Sequence, residues 1–249
     1  MIARLSAWKK DRRANPPYRA EMENFAYIMQ RLLEGFGQTV LLFTITIIFS
    51  LPLGVLLALG ALSSFKPLKY LVKCLVWVIR GTPLILQIMF IQALPNTIFK
   101  VGLAQISSAL NCKVRDVQFI FVAIAFIINY ACYFSEIFRA GIESIPKGQT
   151  EAGKVLGLTQ RQIFTKIILM QVVKRTVPPV GNEIITLVKD TALASVAGVI
   201  DLYNAAASAV NKLVILTPFV YAAVFYLIFN GVLTLILSKI EKKLNYYKV

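Results

Sequence analysis

Residues 35–65 carry no charged side chain, and neither do residues 213–238. Runs of that length leave few folds open. A helix of about 20 mainly apolar residues crosses the hydrocarbon layer. Within lipid the backbone must pair its own polar groups, which a helix does inside a single segment. The rest of the chain agrees: of 249 residues, 57% are hydrophobic and only 16% charged, and the mean hydropathy is +0.69. A soluble domain of this size carries roughly 25% charged residues. The expected fold class is therefore all-α and integral to the membrane. The first 20 residues, MIARLSAWKKDRRANPPYRA, contain no apolar run long enough for a signal-peptide core.

About five transmembrane helices are expected. The first lies within residues 35–65, with Pro52 as a kink, and the second covers about residues 71–99 with Arg-Gly-Thr-Pro in its middle. The third is residues 117–135. The fourth, about residues 176–200, is the poorest because Glu183, Lys189 and Asp190 lie inside it, and the fifth is residues 213–238. Five crossings put the residue 139–175 loop, the first loop with Lys66 and Lys69, and the tail with Lys239, Lys242, Lys243 and Lys248 on one side. The positive-inside rule makes that side cytoplasmic. Lys9, Lys10, Arg12, Arg13 and Arg19 then fall outside, unless that stretch lies on the membrane or a sixth crossing exists. Three regions follow: a basic, interfacial segment over 1–37, a transmembrane domain over 38–240 and a basic tail over 241–249.

The net charge of +15 is assigned to anionic lipid and cytoplasmic loops rather than to nucleic acid. Histidine is absent, which removes the commonest general base and zinc ligand. Cys74, Cys112 and Cys132 show no disulfide or metal spacing, and Cys74 and Cys132 read as small buried hydrophobes in apolar runs. No catalytic residue and no metal site is expected. A Gly-rich phosphate loop ending in Lys-Ser or Lys-Thr is also missing, so no cofactor is expected on this chain, and any ATP belongs to another subunit.

Against this apolar background, residues 145–171 form a polar, helix-compatible loop. Pro146 and Gly148 end the preceding helix and turn the chain. Thr150 is the expected N-cap of a short helix, with Glu151 at its positive end. Ala152, Val155 and Leu156 then share one face at i, i+3 and i+4. Such a helix fits a groove in another protein or serves as a structural connector, and its small residues Ala152, Gly153 and Gly157 favour protein contact over lipid.

An ionisable group inside a span usually faces a protein interior or a watery cavity. Glu183, beside Asn182, is the sharpest candidate for meeting an ammonium group. Its alternatives are a helix-end position or pairing with Lys189 or Arg80. Lys189 and Asp190 point in different directions on a helix and suit gating or inter-subunit contact better than solute contact. Arg80 to Pro83 breaks a span and offers the Thr82 hydroxyl, either to line a transport site or as a hinge. Asn129, Tyr130 and Glu136 face the pathway or link helices. Tyr203, Tyr246 and Tyr247 are expected at the membrane interface.

These residues carry a resemblance. Glu151, Ala152, Gly153, Gly157, Ile167 and Leu169 resemble the cytoplasmic signature of membrane subunits of bacterial ATP-binding-cassette importers. That signature is Glu-Ala-Ala, three residues, Gly, nine residues, Ile, one residue, Leu-Pro. Here Gly153 replaces the second Ala and Met170 replaces the Pro, which removes a kink after the loop. RGTPLILQ (80–87), SEIFRAGIESIPKGQ (135–149) and GNEIITLVKDTALAS (181–195) are similar to the polar amino acid permease family. The resemblance implies a coupling helix between the third and fourth spans, with Glu151, Ala152, Gly153, Lys154, Gly157 and Leu158 at the contact. It implies a second permease (a homodimer or heterodimer), two ATPase subunits holding ATP and Mg2+, an extracellular solute-binding protein and an amino acid substrate. The setting it implies is a bacterial inner membrane. An ion-coupled secondary amino acid transporter is the alternative, although such chains usually show internal repeats. A membrane enzyme is disfavoured because no cluster of carboxylates, His or Cys is evident.

Overall fold

Helix α1, Pro16–Leu62, runs unbroken for 47 residues. In the computed structural model the backbone is described for residues 16–244 and side chains for residues 24–244; positions outside these bounds, including Tyr246, Tyr247, Lys248 and the first basic cluster, lie beyond the described residues. The expected boundary at residue 37 falls inside α1. Pro52 sits within the helix without ending it. Along one side of α1, Thr46, Ser50, Gly54 and Ala58 recur every fourth residue, a stripe of small side chains of the kind that brings membrane helices close. A Cβ on Gly54 would lie 2.8 Å from Phe134 Cβ and 3.1 Å from the Ala131 carbonyl oxygen. That contact sets α1 against α5, Val114–Glu143.

Helix α5 is the centre of the bundle. More than half of its most apolar stretch (56%) is buried, against 28% for α1 and 6% for α10, Thr217–Leu244, which therefore lies at the periphery. Phe126, Tyr130 and Phe134 of α5 form the core with Leu42, Ile88, Leu187 and Val188.

The expected second span is a bent pair, α2 (Lys66–Arg80) and α3 (Leu84–Phe99), set at 110° to each other. Helix ends leave carbonyls without intrahelical partners, and lipid supplies none. One glutamine meets this need: Gln87 Nε2 is 2.7 Å from the Ile79 carbonyl oxygen, 3.0 Å from that of Thr82 and 2.9 Å from Thr82 Oγ1. Thr82 in turn donates to the Val78 carbonyl at 3.0 Å. A short helix α4, Leu103–Ala109, leads into α5.

After α5 come α6 (Lys147–Val155) and α7 (Gln160–Ile163). A π-helical turn, Phe164–Ile168, then continues without a break into α8, Leu169–Asp190. Met170 thus lies in regular α-helix just after a widened turn, and the helix runs past it without a break. Helix α8 contains Pro178 and Pro179 and passes into a 3₁₀ turn, Thr191–Ala197, closed by Gly198 at φ +79°. Helix α9, Leu202–Leu213, clamps onto the first half of α1. Asp201 caps it by accepting from the Tyr203 and Asn204 amides, and the Leu202 amide donates to Thr39 Oγ1 at 3.0 Å.

Among the described residues, three helices are long and apolar enough to cross a membrane, or four if the bent pair counts as one. The fourth expected span is the difference: α8 begins seven residues earlier than expected and carries Lys174, Arg175, Glu183, Lys189 and Asp190. Cys132 is buried as expected, whereas Cys74 is exposed on α2.

Candidate docking helix and intramembrane cavities

Helix α6 starts one turn earlier than the sequence suggested. Its N-cap is Pro146, so Thr150 lies inside the helix and caps nothing. Proline suits a helix start, where an amide hydrogen has no partner to lose. Gly148 likewise falls within α6. The C-terminus closes in a Schellman motif. Gly157, at φ +74°, donates to the Lys154 carbonyl at 2.9 Å, and the Leu158 amide reaches the Gly153 carbonyl at 3.0 Å. A second cap follows at once: Thr159 and Gln162 exchange side chain-to-backbone hydrogen bonds that start α7.

Two faces of α6 result. Gly153 is buried, and a Cβ there would stand 2.7 Å from Ile163 Cγ1. Its smallness serves a contact within this chain, where α6 folds back on the start of the α7–α8 rod. The opposite face holds Ala152, Val155 and Leu156, all exposed, with Val155 at 88% and Leu156 at 75%. Glu151 and Lys154 are exposed beside them, and Leu158 is half-buried. The shared face expected from i, i+3, i+4 spacing is present and has no cover among the described residues.

Inside the bundle, two neighbouring cavities meet at Glu183. One, about 410 Å³, is lined by Thr82, Asn129, Tyr130, Glu183, Thr186 and Asp190. The other, about 480 Å³, is lined by Arg80, Tyr133, Glu136, Arg175 and Glu183. Most of the predicted residues are therefore brought together, but their partners differ. Asp190 accepts from the Tyr130 hydroxyl at 2.7 Å. Arg80 lies 3.7 Å from Glu136 and sits over the Tyr133 ring. Glu136 is held more closely by Arg139 at 2.7 Å, and Arg139 also pairs with Glu143. Arg175 donates to the Ser144 carbonyl and hydroxyl, and both residues line the second cavity on the side of the α5 end that leads into α6. Glu183 alone of these carboxylates has no hydrogen-bonded or ion-paired partner among the described residues.

Asn182 is exposed and lines neither cavity, because one residue along a helix turns the side chain by about 100°. Asn129 donates to Gln87 Oε1 at 3.0 Å, which ties the α2–α3 break to the central helix. Gln87, Tyr133, Thr186 and Arg175 were not singled out from sequence. Gln87 stands in the quoted motif, yet its role depends on a bend that linear spacing does not reveal.

Comparison with known proteins matches this architecture. Residues 50–246 match the family described as binding-protein-dependent transport system inner membrane component. The chain is 36% identical over 215 residues to the L-cystine transport system permease protein TcyB of Bacillus subtilis (strain 168), covering 86% of each. It is 35% identical over 218 residues to the arginine transport system permease protein ArtQ of the same organism, covering 86% of this chain and 92% of that one. A crystal structure of an amino acid ABC transporter with histidines superposes with a TM-score of 0.75 at 28% identity, over 86% of this chain and 94% of that chain. An inward-facing MetNI methionine ABC transporter shares the fold, with a TM-score of 0.62 at 18% identity over 88% of this chain and 97% of that one. With four-fifths of its length inside one family and relatives aligned nearly end to end, this chain belongs to the binding-protein-dependent transport system inner membrane components.

Proposed function

We propose that this chain is the transmembrane subunit of an ATP-driven importer of polar amino acids, energised by separate ATPase subunits that seat on α6. The observation that carries the coupling is the uncovered apolar face of Ala152, Val155 and Leu156 at one end of a membrane bundle. Relatives named as cystine, arginine and glutamine permeases support the solute class. The chain works beside a second permease, as a homodimer or heterodimer, in a bacterial inner membrane. Two ATPase subunits hold ATP and Mg2+, and an extracellular solute-binding protein delivers the amino acid.

The two cavities that meet at Glu183 form the solute pathway. Its carboxylate, with no side-chain partner of its own, receives the ammonium or cationic side chain of the amino acid. A desolvated carboxylate gains most from such a charge-assisted hydrogen bond. Arg80, Glu136 and Asp190 are already engaged, and they shape the walls.

The test is a double substitution, Val155→Asp with Leu156→Asp, in the assembled complex. Both side chains are exposed, so the bundle should fold and insert as before. Co-purification of the ATPase is expected to fall at least tenfold, since two carboxylates would be desolvated in the groove. Full ATPase association and normal uptake by this variant would refute docking at α6.

A further inference from the structure

A third cavity lies at the opposite end of the bundle and belongs to neither the docking helix nor the solute pathway. Helix α5 has 30 residues, so its first turn is about 45 Å from the end that leads into α6. The cavity, about 390 Å³, sits at that first turn, between α5, Gln38 and Leu41 of α1, and the loop that follows the 3₁₀ turn. Its rim is cationic. Lys113 and Arg115 are exposed there, and neither is in an ion pair among the described residues. The acidic group present, Asp116, accepts the Lys113 backbone amide at 3.1 Å and so serves the start of α5.

The floor is apolar and continues out of the cavity. Leu41 of α1 and Ile120 of α5 both line it. Away from it, Ile48 and Phe49 on α1 and Ile124 on α5 remain exposed one or two turns further along. The cavity thus continues as an apolar helix surface, with Lys113 and Arg115 set against the single carboxylate of Asp116 at its polar end, a net positive charge. A diacyl phosphodiester has the matching distribution of charge and hydrocarbon, whereas a free anion would leave the walls uncovered.

We propose that this cavity and the apolar surface leading from it bind an anionic phospholipid, with its phosphate between Lys113 and Arg115 and an acyl chain along Leu41, Ile48, Ile120 and Ile124. Basic side chains between membrane helices recognise lipid headgroups in this way. The site requires only the membrane fold and stands apart from the identity of the solute.

Native mass spectrometry of the assembled transporter tests it, after equilibration with mixed phosphatidylglycerol and phosphatidylcholine. Replacing both cations, Lys113→Gln with Arg115→Gln, should weaken phosphatidylglycerol retention about thirtyfold relative to phosphatidylcholine, the effect of two charges at a membrane surface. The charge-conserving exchange Lys113→Arg with Arg115→Lys should retain lipid like the parent, which separates charge from misfolding. Millimolar inorganic phosphate should not displace the bound lipid. A photo-reactive residue at position 124 should capture lipid in membranes. Equal retention by the glutamine variant, displacement by phosphate alone, or capture of a second permease or a solute-binding protein at position 124 would each overturn the assignment.

Discussion

Glu183 is half-buried between two cavities with no group of its own chain hydrogen-bonded to it, while its neighbours Arg80, Glu136 and Asp190 all have partners. Replacing Glu183 by Gln keeps the shape and removes the charge. Hydrogen bonds to charged groups contribute about 1.5–3 kcal/mol, so half-saturation of uptake should shift upward roughly ten- to hundredfold. ATPase association should be unchanged, because Glu183 makes no hydrogen bond or ion pair with α6 among the described residues. Unaltered half-saturation for every polar amino acid tested would remove Glu183 from the pathway. This residue was legible in the sequence because a carboxylate in an apolar span is rare and needs a reason. Asn182 was not separable from it by composition; only the helical rotation of one residue puts it on the outside. The Thr150 cap failed for a related reason, since Pro146 already provides a helix start and makes a later one unnecessary.

At the scale of elements, the α2–α3 break and the α6 fold-back are the two irregular features that the transporter geometry needs. The break is stitched by Gln87, which meets the Ile79 and Thr82 carbonyls and accepts from Asn129. Gln87→Leu would orphan these groups, at about 1–3 kcal/mol for each buried one. The detergent-solubilised chain should then lose several degrees in its thermal midpoint, at roughly 2–4 °C per kcal/mol for a protein of this size. Asn129→Leu added to Gln87→Leu should cost far less than the sum of the single changes, as expected for residues sharing one network. An unchanged midpoint in Gln87→Leu would show that the glutamine does not hold the break, and additive losses would show that Asn129 acts independently of it. Arg-Gly-Thr-Pro announced an interruption, but not its 110° angle, which follows from where Gln87 and Asn129 meet. The exposed face of α6 was legible from spacing alone. The burial of Gly153 was not, because it depends on Ile163, ten residues away and in another helix.

For the whole molecule, two long charge-free runs marked a membrane protein, and both fall within helices long and apolar enough to span. The number of crossings was less legible. Helix α8 has charged residues and two prolines along 22 residues, so its position rests on packing against α5 and α10 rather than on hydropathy. That same departure from an apolar helix is what places Glu183 and Asp190 beside the cavities. Under the docking proposed at α6, a force there would pass through the Gly153–Ile163 contact into the continuous α7–α8 rod that carries both residues. The most direct measurement of that account is uptake of labelled arginine, glutamine, glutamate and cystine into vesicles holding this chain, with and without its ATPase and solute-binding protein. Uphill uptake of at least one of these solutes should require the full assembly and ATP, and should persist when ion gradients are collapsed. Uphill transport by the chain alone, driven by an ion gradient and indifferent to ATP, would contradict it.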